Sequence, residues 1–200
     1  MIKRAFDILV SILLLILLLI PMLVTAFLIR IGSPGKAIFK QRRAGRHGRP
    51  FTILKFRTMR IDADPYGSSP HSGDDPRLTR LGKFLRETSL DELPQLLNII
   101  IGQMSLVGPR PLYERQAEKW DDVQRRRLEV RPGVTGYAQA YGRGQLTIEE
   151  KIEMDVHYVD NRSFWFDLRI ILRTVGNILR PRSEVYEKRY SNDREYENDQ

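Results

Sequence analysis

The sequence predicts an α-rich monotopic membrane protein with minor β content: a kinked hydrophobic N-terminal helix, interfacial amphipathic helices and a compact cytosolic domain. Residues 8–29 form an uncharged, mainly apolar run, later segments have helical periodicity, and only one segment resembles a β-hairpin. The net charge of +8 indicates an anionic partner: nucleic acid, anionic lipid or a phosphorylated small molecule. The chain has no cysteine, which excludes disulfides, cysteine–zinc sites and thiol nucleophiles.

The apolar run, ILVSILLLILLLIPMLVTAFLI, predicts a membrane anchor. As a helix it would extend about 33 Å, which matches the ~30 Å hydrocarbon layer. It is too long for a signal peptide, and no small-x-small cleavage site follows it. Basic residues flank both ends, and Pro21 removes one helical hydrogen bond, which predicts a kink. These residues leave two arrangements open, a re-entrant helix and a bitopic one, and both place the chain from about Gly32 on the cytoplasmic side.

The remaining chain is predicted to form a helix-rich domain over residues 32–180, after the anchor (1–31) and before a polar tail (181–200). We expect two strands, Ile38–Arg42 and Phe51–Phe56, joined by a glycine-rich basic turn. A polar loop follows, and then a basic amphipathic helix that suits either an anionic membrane surface or solvent.

Three further helices are predicted towards the C-terminus: one over about 112–128, one within residues 149–161, and one within 163–180. The glycine-containing run at 131–145 is expected to be a structured loop. Trp165 and neighbouring apolar residues with flanking arginines favour an interfacial position for the last helix, against ordinary core packing as the alternative.

The stretch TSLDELPQL, at 88–96, places two carboxylates side by side in a basic protein. One interpretation is helix capping: Pro94 would lie in the first turn, with Asp91 near the N-cap, or Ser89 and Glu92 would form a capping box. The other interpretation is catalytic. An ionised Asp91 can attack phosphorus, and Glu92 beside it can take a proton or help hold a metal.

Such chemistry requires cations near the carboxylates, because carboxylates repel a phosphate. Arg110 stands between two prolines, which stiffen its backbone, and Arg131 begins the RPGVTG run. Lys55 lies near the end of a predicted strand, and Arg86 precedes Asp91 by five residues. Together these residues predict a phosphate-binding site.

Three blocks resemble the signatures of one family. KFRTM (55–59), TSLDELPQLLNIIIGQMSLVGPRP (88–111) and RPGVTGYAQAYGR (131–143) are similar to those of the monotopic phosphoglycosyl transferases, the bacterial sugar transferase family. The apolar N-terminal segment with its proline also matches, so the resemblance covers about residues 1–180. With a single hydrophobic segment, the chain resembles the small form of the family.

The resemblance implies transfer of a phosphosugar from a UDP-sugar to undecaprenyl phosphate, a polyprenyl phosphate, with release of UMP. Asp91 would be the nucleophile that carries a covalent phosphosugar, with Glu92 as its partner in the dyad. Mg²⁺ would be the cofactor, with Asp91 as a ligand, and Arg110 would bind substrate phosphate. The anchor would be a re-entrant helix broken at Pro21, although Ile20 stands where the family usually has serine.

The partners implied are therefore the UDP-sugar, the polyprenyl phosphate and the lipid bilayer, at the cytoplasmic face of a bacterial inner membrane. The oligomeric state, a homodimer included, stays open. A membrane-tethered basic module that binds nucleic acid or anionic lipid is the competing hypothesis. It is disfavoured because the aromatic residues cluster with apolar residues near Trp165 and because it gives no reason for the acidic pair. An aspartyl-phosphate phosphatase would be expected to place its nucleophile in a D-x-D motif after a strand.

Overall fold

The computed structural model describes residues 2–118, 120–178 and 186, and it is 57% helical and 13% strand, which confirms the predicted α-rich class. The predicted polar tail, 181–200, lies outside the described residues apart from Tyr186. The helices are α1 (Ile2–Gly32), α2 (Arg80–Glu87), α3 (Gln95–Ile100), α4 (Glu114–Glu118), α5 (Asp122–Arg125), α6 (Tyr137–Tyr141), α7 (Ile148–Asn161) and α8 (Phe164–Ile178). The strands are β1 (Ile38–Ala44), β2 (Pro50–Phe56), β3 (Ser105–Val107) and β4 (Gly133–Thr135).

Helix α1 is the one helix in the described part of the chain that is long and apolar enough to cross a membrane, judged by length and composition. The helix continues through Pro21, so a break at that residue stays a prediction. One face of α1 packs against the rest of the protein, with Asp7, Ser11 and Ile29 buried at helical spacing. The opposite face exposes a continuous row of leucine, isoleucine and phenylalanine side chains.

The N-terminal turns of α1 are attached to the domain by polar contacts. Lys3 pairs with Asp167 of α8, and Asp7 accepts a hydrogen bond from Ser105 Oγ of β3 at 2.7 Å. Arg4 donates to backbone carbonyls at the end of α3. Because these charged groups are satisfied by the domain itself, the start of α1 is fixed to it.

Strands β1 and β2 form the predicted antiparallel hairpin, with Gln41 opposite Ile53 and Phe39 opposite Lys55. Strand β1 continues two residues beyond the predicted end, to Ala44. Residues opposite each other share a face of the sheet, and so do residues two apart on one strand. Gln41 and Lys55 therefore point to the same side of the hairpin, and Ile53 on this side packs into the core with α3 and α1.

The glycine-containing run forms more regular structure than predicted. Strand β4 pairs in parallel with β3, and α6 follows it directly. A Cβ atom added to Gly133 would lie 2.2 Å from the Gly108 amide nitrogen. The two backbones can therefore approach only because both positions are glycine.

The prediction of one helix over 112–128 is wrong. The segment instead contains α4, α5 and a 3-10 turn at Arg126–Glu129. Asp121 and Gln124 form a capping box that starts a new helix, and Trp120 just before it is buried. Helices α7 and α8 are present as predicted. Trp165 on α8 is 70% exposed.

Candidate active site

The acidic pair lies in a 3-10 turn, Leu90–Glu92, between α2 and α3. Ser89 precedes this turn in the left-handed conformation, with φ 58°, a strained backbone geometry for a residue other than glycine. Ser89 makes no capping hydrogen bond through its side chain, and α3 begins only after Pro94. Pro94 stands at the start of α3 as predicted, but the predicted capping box and the helix start near Glu92 are wrong, because the Glu92 carboxylate contacts cations and not the backbone.

Glu92 is held between two cations. Its Oε1 lies 2.8 Å from Lys55 Nζ and 3.1 Å from Arg110 Nη2. Burial alone would raise the pKa of Glu92, but the charges and hydrogen bonds of Lys55 and Arg110 outweigh burial and lower it to about 2. Glu92 is therefore ionised at neutral pH and fixes the positions of both cations.

The Asp91 carboxyl group has the opposite electrostatic character. Burial, followed by the negative charge of Glu92, raises the pKa of Asp91 to about 6, although Lys55, Arg86 and Arg110 act against this rise. Asp91 is 7% exposed, and within residues 2–118, 120–178 and 186 no group donates a hydrogen bond to its carboxylate. Its oxygens are therefore available to a ligand, a metal or an electrophile.

Two further cations lie beside the pair. Arg86 of α2 donates from Nε to Thr58 Oγ1 at 3.0 Å, and burial lowers its pKa, partly offset by the charge of Asp91. Arg110 is about half exposed, and its backbone carbonyl accepts a hydrogen bond from Arg127 at 2.8 Å. The structure therefore brings Asp91 together with Glu92, Lys55, Arg86 and Arg110.

Arg131 is placed elsewhere. Its Nε donates to the Gly102 carbonyl at 2.8 Å, and burial together with the charges of Arg4 and Arg46 lowers its pKa. Arg131 does not line the cleft that contains Asp91. The structure thus does not group Arg131 with the predicted phosphate-binding residues.

The pair opens onto a cleft of about 1300 Å³. The polar loop after β2 lines one side, and residues of α6, α7 and α8 line another. Arg43 and Tyr113 also line it, and the sequence interpretation did not single them out. The alternation of side chains along a strand could have indicated Arg43, because Arg43 follows Gln41 by two residues on the hairpin face that carries Lys55.

A long apolar helix packed against a cleft with an acidic pair and several arginines defines a membrane-associated enzyme that handles phosphates. The chain belongs to the bacterial sugar transferase family, whose sequence model matches residues 1–181. The predicted family and the predicted class, a sugar-phosphate transferase enzyme, are confirmed.

Individual relatives support this assignment. The chain is 48% identical over 179 residues to "Uncharacterized sugar transferase EpsL" of Bacillus subtilis (strain 168), covering 88% of this chain and 87% of that protein. It is 39% identical over 183 residues to the UDP-glucose:undecaprenyl-phosphate glucose-1-phosphate transferase of Escherichia coli (strain K12). That match covers 88% of this chain but only 39% of the longer protein. A protein of the same name from Caulobacter vibrioides is 44% identical over 190 residues, covering 88% of this chain and 69% of that protein.

Proposed function

We propose that this protein transfers a phosphosugar from a UDP-sugar to undecaprenyl phosphate, releasing UMP, through a covalent aspartyl-phosphosugar intermediate. The main support is the buried Asp91 carboxylate, which accepts no hydrogen bond from the described residues. It lines a large cleft beside three cations, Lys55, Arg86 and Arg110. The names of the Escherichia and Caulobacter relatives specify this type of donor and acceptor.

The proposed reaction consists of two displacements at one phosphorus atom. An Asp91 oxygen bonds to the sugar-bearing phosphorus, the bond to the bridging oxygen breaks, and UMP leaves with that electron pair. An oxygen of the polyprenyl phosphate then attacks the same phosphorus, and the bond to Asp91 breaks. Lys55 and Arg110, held by Glu92, bring positive charge to the phosphoryl oxygens. Arg86 supplies further positive charge beside Asp91.

We propose Mg²⁺ as the cofactor, with Asp91 as its protein ligand. No cluster of three or more metal-binding side chains occurs in the part of the chain that is described, and Glu92 Oε1 already contacts two cations. The donor set fits an ion that takes its other ligands from substrate phosphates and water, as Mg²⁺ commonly does. When bound, the ion would neutralise negative charge on the diphosphate. Chelation with EDTA is expected to abolish UMP release, and added Mg²⁺ is expected to restore it.

We also propose that α1 is re-entrant and the catalytic domain cytosolic. Lys3 contacts α8, and Ile29 near the other end packs with Phe56 and Leu85, so one domain holds both ends of the helix. A bitopic helix would place its two ends, and the groups that contact them, on opposite sides of the ~30 Å hydrocarbon layer. Because the chain has no cysteine, single-cysteine variants at Ile2 and Gly32 allow a direct test. Both are expected to resist an impermeant periplasmic reagent, and labelling of either would contradict the arrangement.

The covalent step is tested with a UDP-sugar labelled in its β-phosphate and no lipid acceptor. Label is expected on the protein, with UMP released in equal amount, and alkaline hydroxylamine should remove it because acyl phosphates are labile. Asp91→Asn should carry no label and show no turnover. Full turnover in this variant would falsify the nucleophile assignment. UMP release that strictly requires acceptor, with no label trapped, would contradict the covalent intermediate.

A further inference from the structure

Arg43 is a cleft-lining cation with no carboxylate partner among the described residues. Its guanidinium carbon lies 3.8 Å from the centre of the Tyr113 ring, and Nη2 donates to Gln41 Oε1. Its Nε is buried and has no hydrogen-bond partner. Burial lowers the pKa of Arg43, and the nearby positive charge of Arg110 lowers it further.

Two other cations of this region are paired with acids. Lys55 pairs with Glu92, and the buried Arg127 pairs with Asp155. A buried charge without a counter-ion costs free energy, so proteins rarely keep one unless a ligand supplies the opposite charge. A guanidinium fixed on an aromatic ring at the wall of a cleft is suited to a phosphate.

One aromatic ring contacts this cation, and a second ring lies against the first. Tyr66 of the polar loop and Tyr113 have ring centres 5.9 Å apart, and both line the cleft. Tyrosine faces are common stacking platforms for nucleobases. The buried Gln41 carboxamide lies in the same group, within 3.5 Å of the Tyr113 hydroxyl, so Arg43 has aromatic and polar neighbours.

The distance along the hairpin is compatible with a ligand longer than one phosphate. Phe39 lies opposite Lys55, and Arg43 follows Phe39 by four residues on the same face. At ~3.3 Å per residue, this places Arg43 about 13 Å along the strand from the level of Lys55. Arg110 interacts electrostatically with both Arg43 and Lys55, and all three residues line the same cleft.

We propose that Arg43, with Tyr113 and Tyr66, binds the nucleoside monophosphate half of the donor, which is the leaving group. Arg110 and Lys55 would then hold the phosphate that reacts with Asp91. The inference rests on the proposed function for the identity of the donor. A lipid phosphate has the same anionic group, but the aromatic and polar neighbours of Arg43 favour the nucleotide.

The test measures UMP binding to the full-length protein in detergent micelles by titration calorimetry. Arg43→Met keeps the apolar stem and is expected to weaken UMP binding about 10- to 100-fold, the effect of losing charge-assisted hydrogen bonds. Arg42→Met is the matched control, since Arg42 points to the opposite face, is exposed and pairs with Glu114. Its UMP affinity should equal that of the wild type. Tyr113→Leu should weaken binding more than Tyr113→Phe, which keeps the ring.

Unchanged UMP affinity in folded Arg43→Met overturns the proposal. Weakened binding of farnesyl phosphate with unchanged UMP binding also overturns it, because Arg43 would then serve the acceptor. If circular dichroism shows that Arg43→Met is unfolded, Arg43→Gln takes its place under the same criteria. UMP binding that depends on Arg43 in a protein without transferase activity would leave this inference standing and refute the proposed function. Transferase activity with an unchanged KM for the donor in Arg43→Met would support the proposed function and refute the inference about Arg43.

Discussion

Lys3 Nζ lies 2.6 Å from Asp167 Oδ2, which joins the first turn of α1 to α8 across 164 residues of sequence. Asp167 is buried and also accepts a hydrogen bond from Tyr158 at 2.6 Å. Lys3 also donates to the carbonyl of Val107, three residues before Arg110, and the Tyr158 hydroxyl lies 3.3 Å from the same oxygen. One polar network therefore joins the anchor, α8 and the loop that carries a cation of the candidate site.

The first prediction concerns this network. Lys3→Met removes the positive charge next to the buried Asp167 and is expected to reduce the free energy of unfolding by about 1–3 kcal/mol. Lys36→Met, a change at an exposed lysine beyond the other end of α1, should have little effect. Thermal unfolding in micelles, followed by circular dichroism, compares the two variants. Equal midpoints would contradict a stabilising role for the Lys3–Asp167 pair.

The second prediction is a pH dependence set by Asp91. Attack requires the ionised carboxylate, and the pKa of Asp91 is raised to about 6, so kcat/KM should rise with pH through about 6 and then level off. Glu92→Gln removes a charge that raises this pKa, so the acid limb should move to lower pH while overall activity falls. Glu114→Gln, at a surface ion pair, is the control and should leave the limb in place. If the acid limb of the kcat/KM profile does not move in Glu92→Gln, the charge of Glu92 does not raise the pKa of Asp91.

Local patterns in the sequence were sufficient to predict α1, the β1–β2 hairpin and the grouping of Asp91 with Arg110. The β3–β4 pair was missed because each strand has three residues and depends on contact between glycines 25 positions apart, Gly108 and Gly133. The placement of Arg131 beside Gly102 likewise follows from tertiary packing. These features have no local signature, because they depend on contacts between distant segments.

The third prediction concerns the buried pair of Arg127 and Asp155. Arg127 also donates to the Arg110 carbonyl and lies 4.8 Å from the centre of the Trp120 ring. Asp155→Asn leaves a buried guanidinium without its counter-charge and is expected to reduce the free energy of unfolding by about 3–5 kcal/mol. Arg127→Met combined with Asp155→Leu should recover stability but lower kcat, because the loop of Arg110 loses a hydrogen bond.

The control for this pair is the neighbouring exposed pair, Arg126 and Asp160. Arg126→Met combined with Asp160→Asn should change stability by less than about 1 kcal/mol, as is typical of surface ion pairs. Urea denaturation measures stability, and UMP release measures turnover. A double variant of the buried pair with wild-type kcat would show that Arg127 does not position Arg110.

The last prediction concerns the contact between α2 and the segment after β2. A Cβ atom added to Gly82 would lie 1.8 Å from the carbonyl oxygen of Thr58, whose side chain holds Arg86. Gly82→Ala must therefore displace α2. We expect the free energy of unfolding to fall by about 1–3 kcal/mol, as is typical of overpacking, and turnover to decrease. Gly176→Ala in α8 meets no atom within 4 Å and should instead stabilise the protein by about 0.5–1 kcal/mol, because alanine is the better helix former. Equal stability of the two variants in urea denaturation would contradict the close backbone contact that places Arg86 beside Asp91.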